Sequence, residues 1–353
     1  MDARPNTSPL RLPRLFVQIC ALNEEETIGQ VIRSIPRTIP GLQSVSVIVV
    51  DDGSTDRTVE KAIEANANCI VRHASKKGLA RSFQDGLDAC LERGADIIVN
   101  IDADGQYRGE DIPALIAPIL RGQADVVIGD RQVSNLEHFS PAKRMLQRLG
   151  SWIVQQASGI SVSDAVSGFR AYSREAALRL FVTSQFSYTV QTLIQSGKLG
   201  LVVASVPINA RHTPRPSRLH RGMLHFISQQ ALILLRTYVA YEPIKMFGAL
   251  ATPFLLTGVG LLTRLLLRFA EQGWQLPGNV QSLIVGSISL ALGLLLLITG
   301  IIADRVCENR RLLEEILYRV RRQATSVPPD VLGASSEPLS SAVSTSSRPI
   351  GSK

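Results

Sequence analysis

Asp96-Ile97-Ile98-Val99-Asn100-Ile101-Asp102-Ala103-Asp104-Gly105-Gln106 is the stretch on which the fold turns. Asp96 to Ile101 is a short, mostly apolar run, and such a run reads as a strand buried on both faces, as in a parallel sheet. It stops at Asp102-Ala103-Asp104-Gly105. The pattern repeats on both sides. Leu15 to Cys20 is a strand that ends just before Asn23, and Val45 to Val50 ends at Asp51-Asp52-Gly53-Ser54. Ile70-Val71 is a brief third strand, and Asp125 to Gly129 follows the central one. Helical segments alternate with these strands. Asn23 opens the first, with Glu24, Glu25 and Glu26 early, where acidic charge suits the macrodipole, and Ile28, Val31, Ile32 and Ile35 at helical spacing before Pro36. Others run from about Thr55 to Ala65, Leu79 to Arg93 and Ile112 to Leu120. The alternation predicts an α/β fold, a mostly parallel sheet with helices on both faces. Ligands of such sheets bind beyond the carboxyl ends of the strands. Both acidic clusters fall there, on what read as neighbouring strand ends.

The 353-residue chain is uneven in composition. Roughly the first 220 residues resemble a soluble α/β protein, and the positive mean hydropathy of +0.14 comes mainly from two later apolar stretches. Met246 to Leu262 is uncharged and is followed by Arg264 and Arg268; Val280 to Ala303 is also uncharged. Each is long enough to cross a bilayer. The link Phe269–Asn279 carries no Lys or Arg, whereas Arg305, Arg310, Arg311, Arg319, Arg321 and Arg322 follow the second stretch. That asymmetry predicts a transmembrane hairpin with both ends, and both termini, in the cytoplasm at the cell membrane. No signal peptide precedes residue 15, and the cysteines Cys20, Cys69, Cys90 and Cys307 form no CxxC pair, in keeping with a reducing compartment. The domain reading is an unstructured arm over 1–13, a catalytic domain over 14–221, an amphipathic interface helix over 222–243, two membrane helices within 244–304, a basic helix over 305–323 and a Ser- and Pro-rich tail over 324–353. Thirty-eight basic against 30 acidic residues give a net charge of +8 and point to anionic partners.

The chemistry is concentrated in the acidic clusters. Asp102 and Asp104, one residue apart on a loop after a strand and followed by Gln106, suit a hard divalent cation, Mg²⁺ or Mn²⁺, which takes few protein carboxylates and completes its shell with phosphate oxygens. The bland counterpart is a solvated acidic turn. Asp51-Asp52-Gly53-Ser54-Thr55-Asp56 suits hydrogen bonds from a base or ribose; its bland counterpart is helix capping by Ser54 or Thr55. Asn23-Glu24 would face the same crevice. The histidines, His73 and His212 among them, form no metal spacing, and only His212, in a basic loop, invites attention.

Leu22-Asn23-Glu24, DDGSTD at 51–56, Lys77-Gly78-Leu79-Ala80, DADGQ at 102–106, Gly129-Asp130-Arg131 and Ser167-Gly168-Phe169-Arg170, in that order, resemble family 2 glycosyltransferases. Within them the closest resemblance is to the dolichyl-phosphate mannose synthase and polyprenyl-phosphate sugar transferase group. It covers roughly residues 15–245, and the membrane hairpin resembles that group too. The resemblance implies a GT-A fold and inverting transfer of a sugar from a nucleoside-diphosphate sugar to a polyisoprenyl phosphate. It implies nucleotide contacts at Asn23, Glu24, Asp51, Asp52, Lys77 and Asp102, and metal contacts at Asp102, Asp104 and Gln106, with Asp104 and Arg131 central to catalysis. It further implies acceptor-phosphate binding by Arg131 and Arg144, and a mobile loop bearing Arg211, Arg215 and Arg218 over the donor diphosphate. An anionic lipid phosphate needs no protein base, and Arg forks match phosphate. Asp130 and Gln191 depart from the family, which often has Ser and commonly Glu there.

Other functions fit less well. A processive polysaccharide synthase would carry QxxRW, which is absent. A nucleotide-binding oxidoreductase would carry GxGxxG where Asn23-Glu24 stands. The basic residues cluster beside membrane segments, which speaks against a nucleic-acid partner. An intact DADGQ with both arginines speaks against a bare scaffold. A glycosyltransferase acting on another acceptor, such as a growing polysaccharide or a glycolipid, is the alternative the sequence leaves open.

Overall fold

The computed structural model describes residues 11–131, 155, 158–182, 188–210, 243–272 and 280–325. Arg144, Arg211, His212, Arg215, Arg218 and the amphipathic lead-in at 222–241 lie outside the described residues. Seven strands form one sheet: β1 (Arg14–Ala21), β2 (Ser44–Asp51), β3 (Cys69–Arg72), β4 (Ile97–Asp102), β5 (Val126–Asp130), β6 (Arg170–Ser173) and β7 (Val203–Pro207), in the order β3-β2-β1-β4-β6-β5-β7. All neighbours pair in parallel except β6, which runs antiparallel to both β4 and β5. The expected mostly parallel sheet with flanking helices is therefore what forms.

Period-2 burial divides each strand between two cores. Leu15, Val17 and Ile19 of β1 join Val47, Val49, Val99 and Ile101 on one face. There they meet α1 (Ile28–Ser34), α2 (Thr58–Glu64) and α4 (Ile112–Leu120). Phe16 and Ile48 turn to the other face, against Ala80, Phe83 and Leu87 of α3 (Leu79–Glu92) and Ala176 and Ala177 of α5 (Arg174–Arg179). Each such fully buried Val, Ile or Phe contributes about 1.5–3 kcal/mol. A sixth helix, α6 (Tyr188–Lys198), buries Val190, Leu193 and Ile194 against Ile128. One polar chain crosses the second core: Gln18 Nε2 donates to Asn100 Oδ1 at 3.0 Å, and Asn100 Nδ2 donates to the Gly168 carbonyl at 2.8 Å. This bonding fixes the loop before β6 behind the end of β4.

Three details differ from the sequence reading. The acidic turns are not on adjacent strands, because β1 lies between β2 and β4. The first helix begins at Ile28, so Glu24–Glu26 precede it rather than fill its first turn. Nor do Ser54 or Thr55 cap α2, whose N-cap is Arg57; those residues bind the Asn23 turn instead.

Two long apolar helices follow, α7 (Pro243–Gln272) and α8 (Val280–Ala324). Both are long and apolar enough to span a membrane. Small residues let their backbones approach: a Cβ on Gly258 would lie 2.7 Å from the Leu290 nitrogen, and one on Gly293 2.7 Å from Leu255. Leu256, Leu266, Leu295 and Ile302 point outward and are exposed. The basic segment expected as a separate helix is the uninterrupted continuation of α8.

Candidate active site

The carboxyl ends of β1, β2 and β4 converge on one edge of the sheet, and the sequence motifs meet there. Cys20 pairs with both Val50 and Asp102, which sets the ends of the three strands level. Asn23 takes a left-handed backbone, φ +55°, and its Oδ1 accepts the Thr55 amide at 2.9 Å. The Asn23 amide donates to Ser54 Oγ at 2.9 Å, and the Glu24 amide donates to Thr58 Oγ1 at 2.8 Å. The turns after β1 and β2 are thus stitched into one wall. Gly53 makes the second turn possible: its φ is +78°, and a Cβ would lie 3.0 Å from the Ser75 backbone.

Within that wall Asp51 and Asp52 are both buried. Asp51 Oδ1 accepts the Ser54 amide at 3.1 Å, and its Oδ2 lies 3.3 Å from Arg72 Nε. Asp52 accepts His73 Nδ1 at 2.9 Å, the Lys77 amide at 2.8 Å and the Gly78 amide at 2.9 Å. Burial alone would raise its pKa, but the bonds from His73, Lys77, Gly78 and Ser82 outweigh that and hold it below the ordinary carboxylate value. His73 Nε2 lies 3.0 Å from Asp85 Oδ2, so the ring is held between two carboxylates. Asp52 therefore anchors the 73–78 loop at the mouth of the crevice. Lys77 is held there by its backbone, with an exposed side chain. Neither His73 nor Asp85 stood out in the sequence. The available signal was register: His73 continues the β3–β2 ladder through its amide bond to the Asp51 carbonyl, 2.9 Å, so its side chain had to enter the same layer as Asp52.

The second acidic turn is built otherwise. Asp102 and Asp104 are each half-buried. Asp104 Oδ1 accepts the Gln106 amide at 2.9 Å, which closes the turn. Among the described residues no hydrogen bond reaches the Asp102 carboxylate. Gly168 packs against it, and a Cβ there would lie 2.5 Å from Asp102 Oδ2. Removal from water, and then the Asp104 charge, push Asp102 up to about 7, against the pull of Arg131 and Arg170. Among the described residues no third His, Cys, Asp or Glu gathers with this pair. Two carboxylates on one half-buried turn, of which Asp102 takes no hydrogen bond among the described residues, fit a hard cation completed by phosphate and water.

Arg131 follows Asp130 at the end of β5. Its Nε and Nη2 donate to the two oxygens of Asp164 at 2.7 and 2.9 Å. Burial opposes its charge, and the Asp164 carboxylate more than compensates, with Tyr107 and Asp102 adding to the effect. The Asp164 side chain is 1% exposed. The fork therefore stands fixed by one edge, with Nη1 outside the pair. Asp164, which the sequence reading passed over, sits three residues before the Ser167-Gly168-Phe169-Arg170 motif. Arg170 is itself fully buried and donates to the carbonyls of Ala165, Ser167 and Thr189, so it shapes the loop that carries Asp164 and Gly168. Tyr107, pushed up to about 12 by burial and by Asp102, accepts the Gly168 amide at 3.2 Å and stacks on Phe169. Gln191 is buried, and its Nε2 donates to the Phe181 carbonyl at 3.3 Å, a bond that a carboxylate could not make.

Comparison with known proteins places this arrangement. Residues 16–181 match the family model for Glycosyl transferase family 2. The UDP-N-acetylglucosamine–dolichyl-phosphate N-acetylglucosaminyltransferase of Methanococcus voltae is 30% identical over 221 residues, covering 56% of this chain and 86% of that protein. The dolichyl-phosphate hexose transferase of Haloferax volcanii is 31% identical, covering 58% of this chain and 86% of that protein. Among solved structures, glucosyl-3-phosphoglycerate synthase from Mycobacterium tuberculosis, in complex with Mn²⁺, UDP-glucose and phosphoglyceric acid, superposes with a TM-score of 0.51 at 27% identity over 64% of this chain and 79% of that one. The chain belongs to glycosyl transferase family 2, to its polyprenyl-phosphate sugar transferase group, and is a glycosyltransferase of GT-A fold.

Proposed function

We propose that the protein transfers a sugar from a nucleoside-diphosphate sugar to a polyisoprenyl phosphate, with inversion, at the cytoplasmic face of the membrane. The observation that carries this reading is the meeting at one sheet edge of the Asp102–Asp104 pair, whose Asp102 takes no hydrogen bond among the described residues, and a fixed Arg131 fork, in a chain with two membrane-length helices. Relatives named for transfer to dolichyl phosphate support the acceptor, and a neighbour crystallised with Mn²⁺ and UDP-glucose supports the metal and the donor.

A divalent cation held by Asp102 and Asp104, with Gln106 beside them, would supply charge neutralisation to the departing diphosphate. The wall formed by Asn23, Glu24, Asp51 and Asp52 receives the nucleoside, and the amides of Lys77 and Gly78, fixed by Asp52, frame the mouth. Arg131 presents Nη1, which lies outside the Asp164 pair, to the acceptor phosphate and orients an oxygen toward the anomeric carbon. That oxygen is already anionic, so it attacks without a base. The new C1–O bond forms as the bond to the diphosphate breaks, and the diphosphate leaves with the electron pair. The attack from the opposite face inverts the centre.

The test is to incubate the purified full chain with a panel of nucleotide sugars and a polyprenyl phosphate. One donor should yield the lipid-linked sugar, excess EDTA should abolish the product, and Mg²⁺ or Mn²⁺ should restore it. Transfer only to a saccharide or glycolipid acceptor overturns the acceptor assignment.

A further inference from the structure

The last turns of α8 are not a free basic tail. They lie against the catalytic domain more than 140 positions away in sequence. Tyr318 is buried in the second core; its hydroxyl donates to Glu175 at 3.0 Å, and the Arg179 guanidinium stacks over its ring at 4.8 Å. Arg321, its side chain 12% exposed, donates to Asp88 of α3 and to the Leu180 carbonyl at 3.0 Å, and lies over the Phe181 ring at 5.4 Å. One turn further on, the Thr325 carbonyl accepts Arg174 Nη2 at 3.1 Å, and the other arm of Arg174 holds the Ala95 carbonyl at 2.8 Å. Positions 318, 321 and 325 recur on one helical face. An exposed ion pair would mean little. This one has a largely covered arginine, shared with a backbone carbonyl and a ring, and sits beside a buried tyrosine.

The direction of docking is informative. α3 starts at the active-site edge, next to Gly78, and ends at the opposite edge, before β4. Thr325, farthest from the membrane-length part of α8, meets Arg174 and Ala95 at that opposite edge. Arg321, one turn nearer the membrane, meets Asp88, further along α3 toward Gly78. Going down α8 toward the bilayer is thus going up the domain toward its site. α8 is 45 residues long, and about 20 of them suffice to cross the hydrocarbon at ~1.5 Å per residue. The remaining helix, roughly 37 Å long at that rise, then stands outside the bilayer as a post.

We propose that the Tyr318–Arg321 turn of α8 is a latch that hangs the catalytic domain from the second membrane helix with its site edge toward the bilayer, so that Arg321 and Tyr318 are positioning residues that set the height of the site for a lipid-borne phosphate. The proposal rests on the lipid acceptor proposed above. A phosphate confined to the membrane surface is reached only if the site is held at its level, and an error of an ångström or so in that placement costs up to about 100-fold in rate. A phosphate free in solution carries no such demand.

The full chain in vesicles would be assayed with two acceptors, a long polyprenyl phosphate in the bilayer and a short, water-soluble isoprenyl phosphate. Asp88→Arg and Arg321→Asp should each lower transfer to the embedded acceptor about tenfold or more. Transfer to the soluble acceptor and the KM for the nucleotide sugar should stay close to wild type. The Asp88→Arg/Arg321→Asp double exchange should recover most of the loss. Equal loss on both acceptors, no loss on either, or no recovery in the double exchange overturns the latch. Tyr318→Phe, which keeps the ring and loses the hydroxyl, gives a milder version of the same split if a charge variant does not fold. A wild-type chain that uses neither isoprenyl phosphate defeats the acceptor reading instead. The latch is then judged by a disulfide between Asp88→Cys and Arg321→Cys: formation in membranes upholds it, and failure to form overturns it.

Discussion

The Asp51–Asp52 turn after β2 and the Asp102–Asp104 turn after β4 flank the same strand, and in sequence both are aspartates closing a buried apolar run. They differ in what answers their charge. Asp52 receives His73 and two backbone amides, and Asp51 receives Ser54 and faces Arg72. Asp102 receives no hydrogen bond among the described residues, and its nearest partner in the turn is another carboxylate. The charges of the first turn are answered within the protein, although one Asp51 oxygen takes no hydrogen bond, and the turn shapes the crevice. The second leaves its charge to be answered from outside. An acidic motif at a strand end is thus two kinds of object, and the donors around it tell them apart.

The largest effect expected from this contrast is on catalysis. Asp104→Ala should cut transfer by about 10²–10³-fold, the scale of losing one electrostatic stabiliser of a transition state. The melting temperature should barely change, since Asp104 accepts only a local amide. A variant that unfolds while a folded fraction stays active would place Asp104 with the structural aspartates.

Arg131 sharpens the contrast from the basic side. Arg131→Lys keeps the charge and loses the fork, so the acceptor KM should rise about 10–100-fold, the worth of one or two charge-assisted hydrogen bonds. Donor affinity measured by calorimetry should stay near wild type. Equal losses in both would make the Asp164 pair a structural brace rather than the mount of a phosphate-binding group.

The satisfied turn should fail differently. Asp52→Asn replaces one acceptor oxygen by an amide donor, which must face either the Gly78 amide or the Lys77 amide with His73, and should cost about 1–3 kcal/mol of stability. The sign with pH follows from its depressed pKa. The wild-type contribution is complete above the ordinary carboxylate value and is lost as pH falls through it toward the folded value. Denaturation midpoints should therefore drop toward acid in the wild type and much less in Asp52→Asn. Parallel curves would show that Asp52 is not the anchor of the 73–78 loop.

How much of this stood in the sequence follows from the range of each interaction. Strands and their order of appearance are local, and β1, β2 and β4 fell within a residue or two of their apolar runs. The carboxyl-edge placement of both acidic turns follows from that. The partners do not. Asp164 meets Arg131 across 33 positions, and His73 meets Asp52 across 21. Arg170 stood only as the last residue of a motif, and it is a fully buried tie between carbonyls, three of which its fork reaches. The spacing of α8 marked the end of its apolar stretch at Ala303. The basic segment beyond it read as a helix of its own, with no sign that the two are one helix or that Tyr318 finds a core 143 positions upstream.

The smallest effect is the most discriminating, because its sign is opposite to that expected of most substitutions. Burial and the Asp104 charge raise Asp102 from its ordinary 3.8 to about 7, so ionising it costs the folded chain more than the unfolded one. Below about pH 4 the group is protonated in both states and the cost is nil. Between there and pH 7 the unfolded chain ionises first, and the cost to the folded state grows with pH. Above 7 both forms are ionised and the cost is constant. Asp102→Asn removes the charge, so it should leave the melting temperature unchanged near pH 4 and raise it at pH 8, by about 2–4 °C per kcal/mol relieved in a domain of this size. Transfer should nevertheless be lost. Adding Mn²⁺ at pH 8 should stabilise the wild type, since a ligand that binds only the folded state does so by mass action, and should not stabilise Asp102→Asn. Lower stability of Asp102→Asn at pH 8, or an equal response of both proteins to Mn²⁺, would mean that the protein itself answers the Asp102 charge and that the two acidic turns are of one kind.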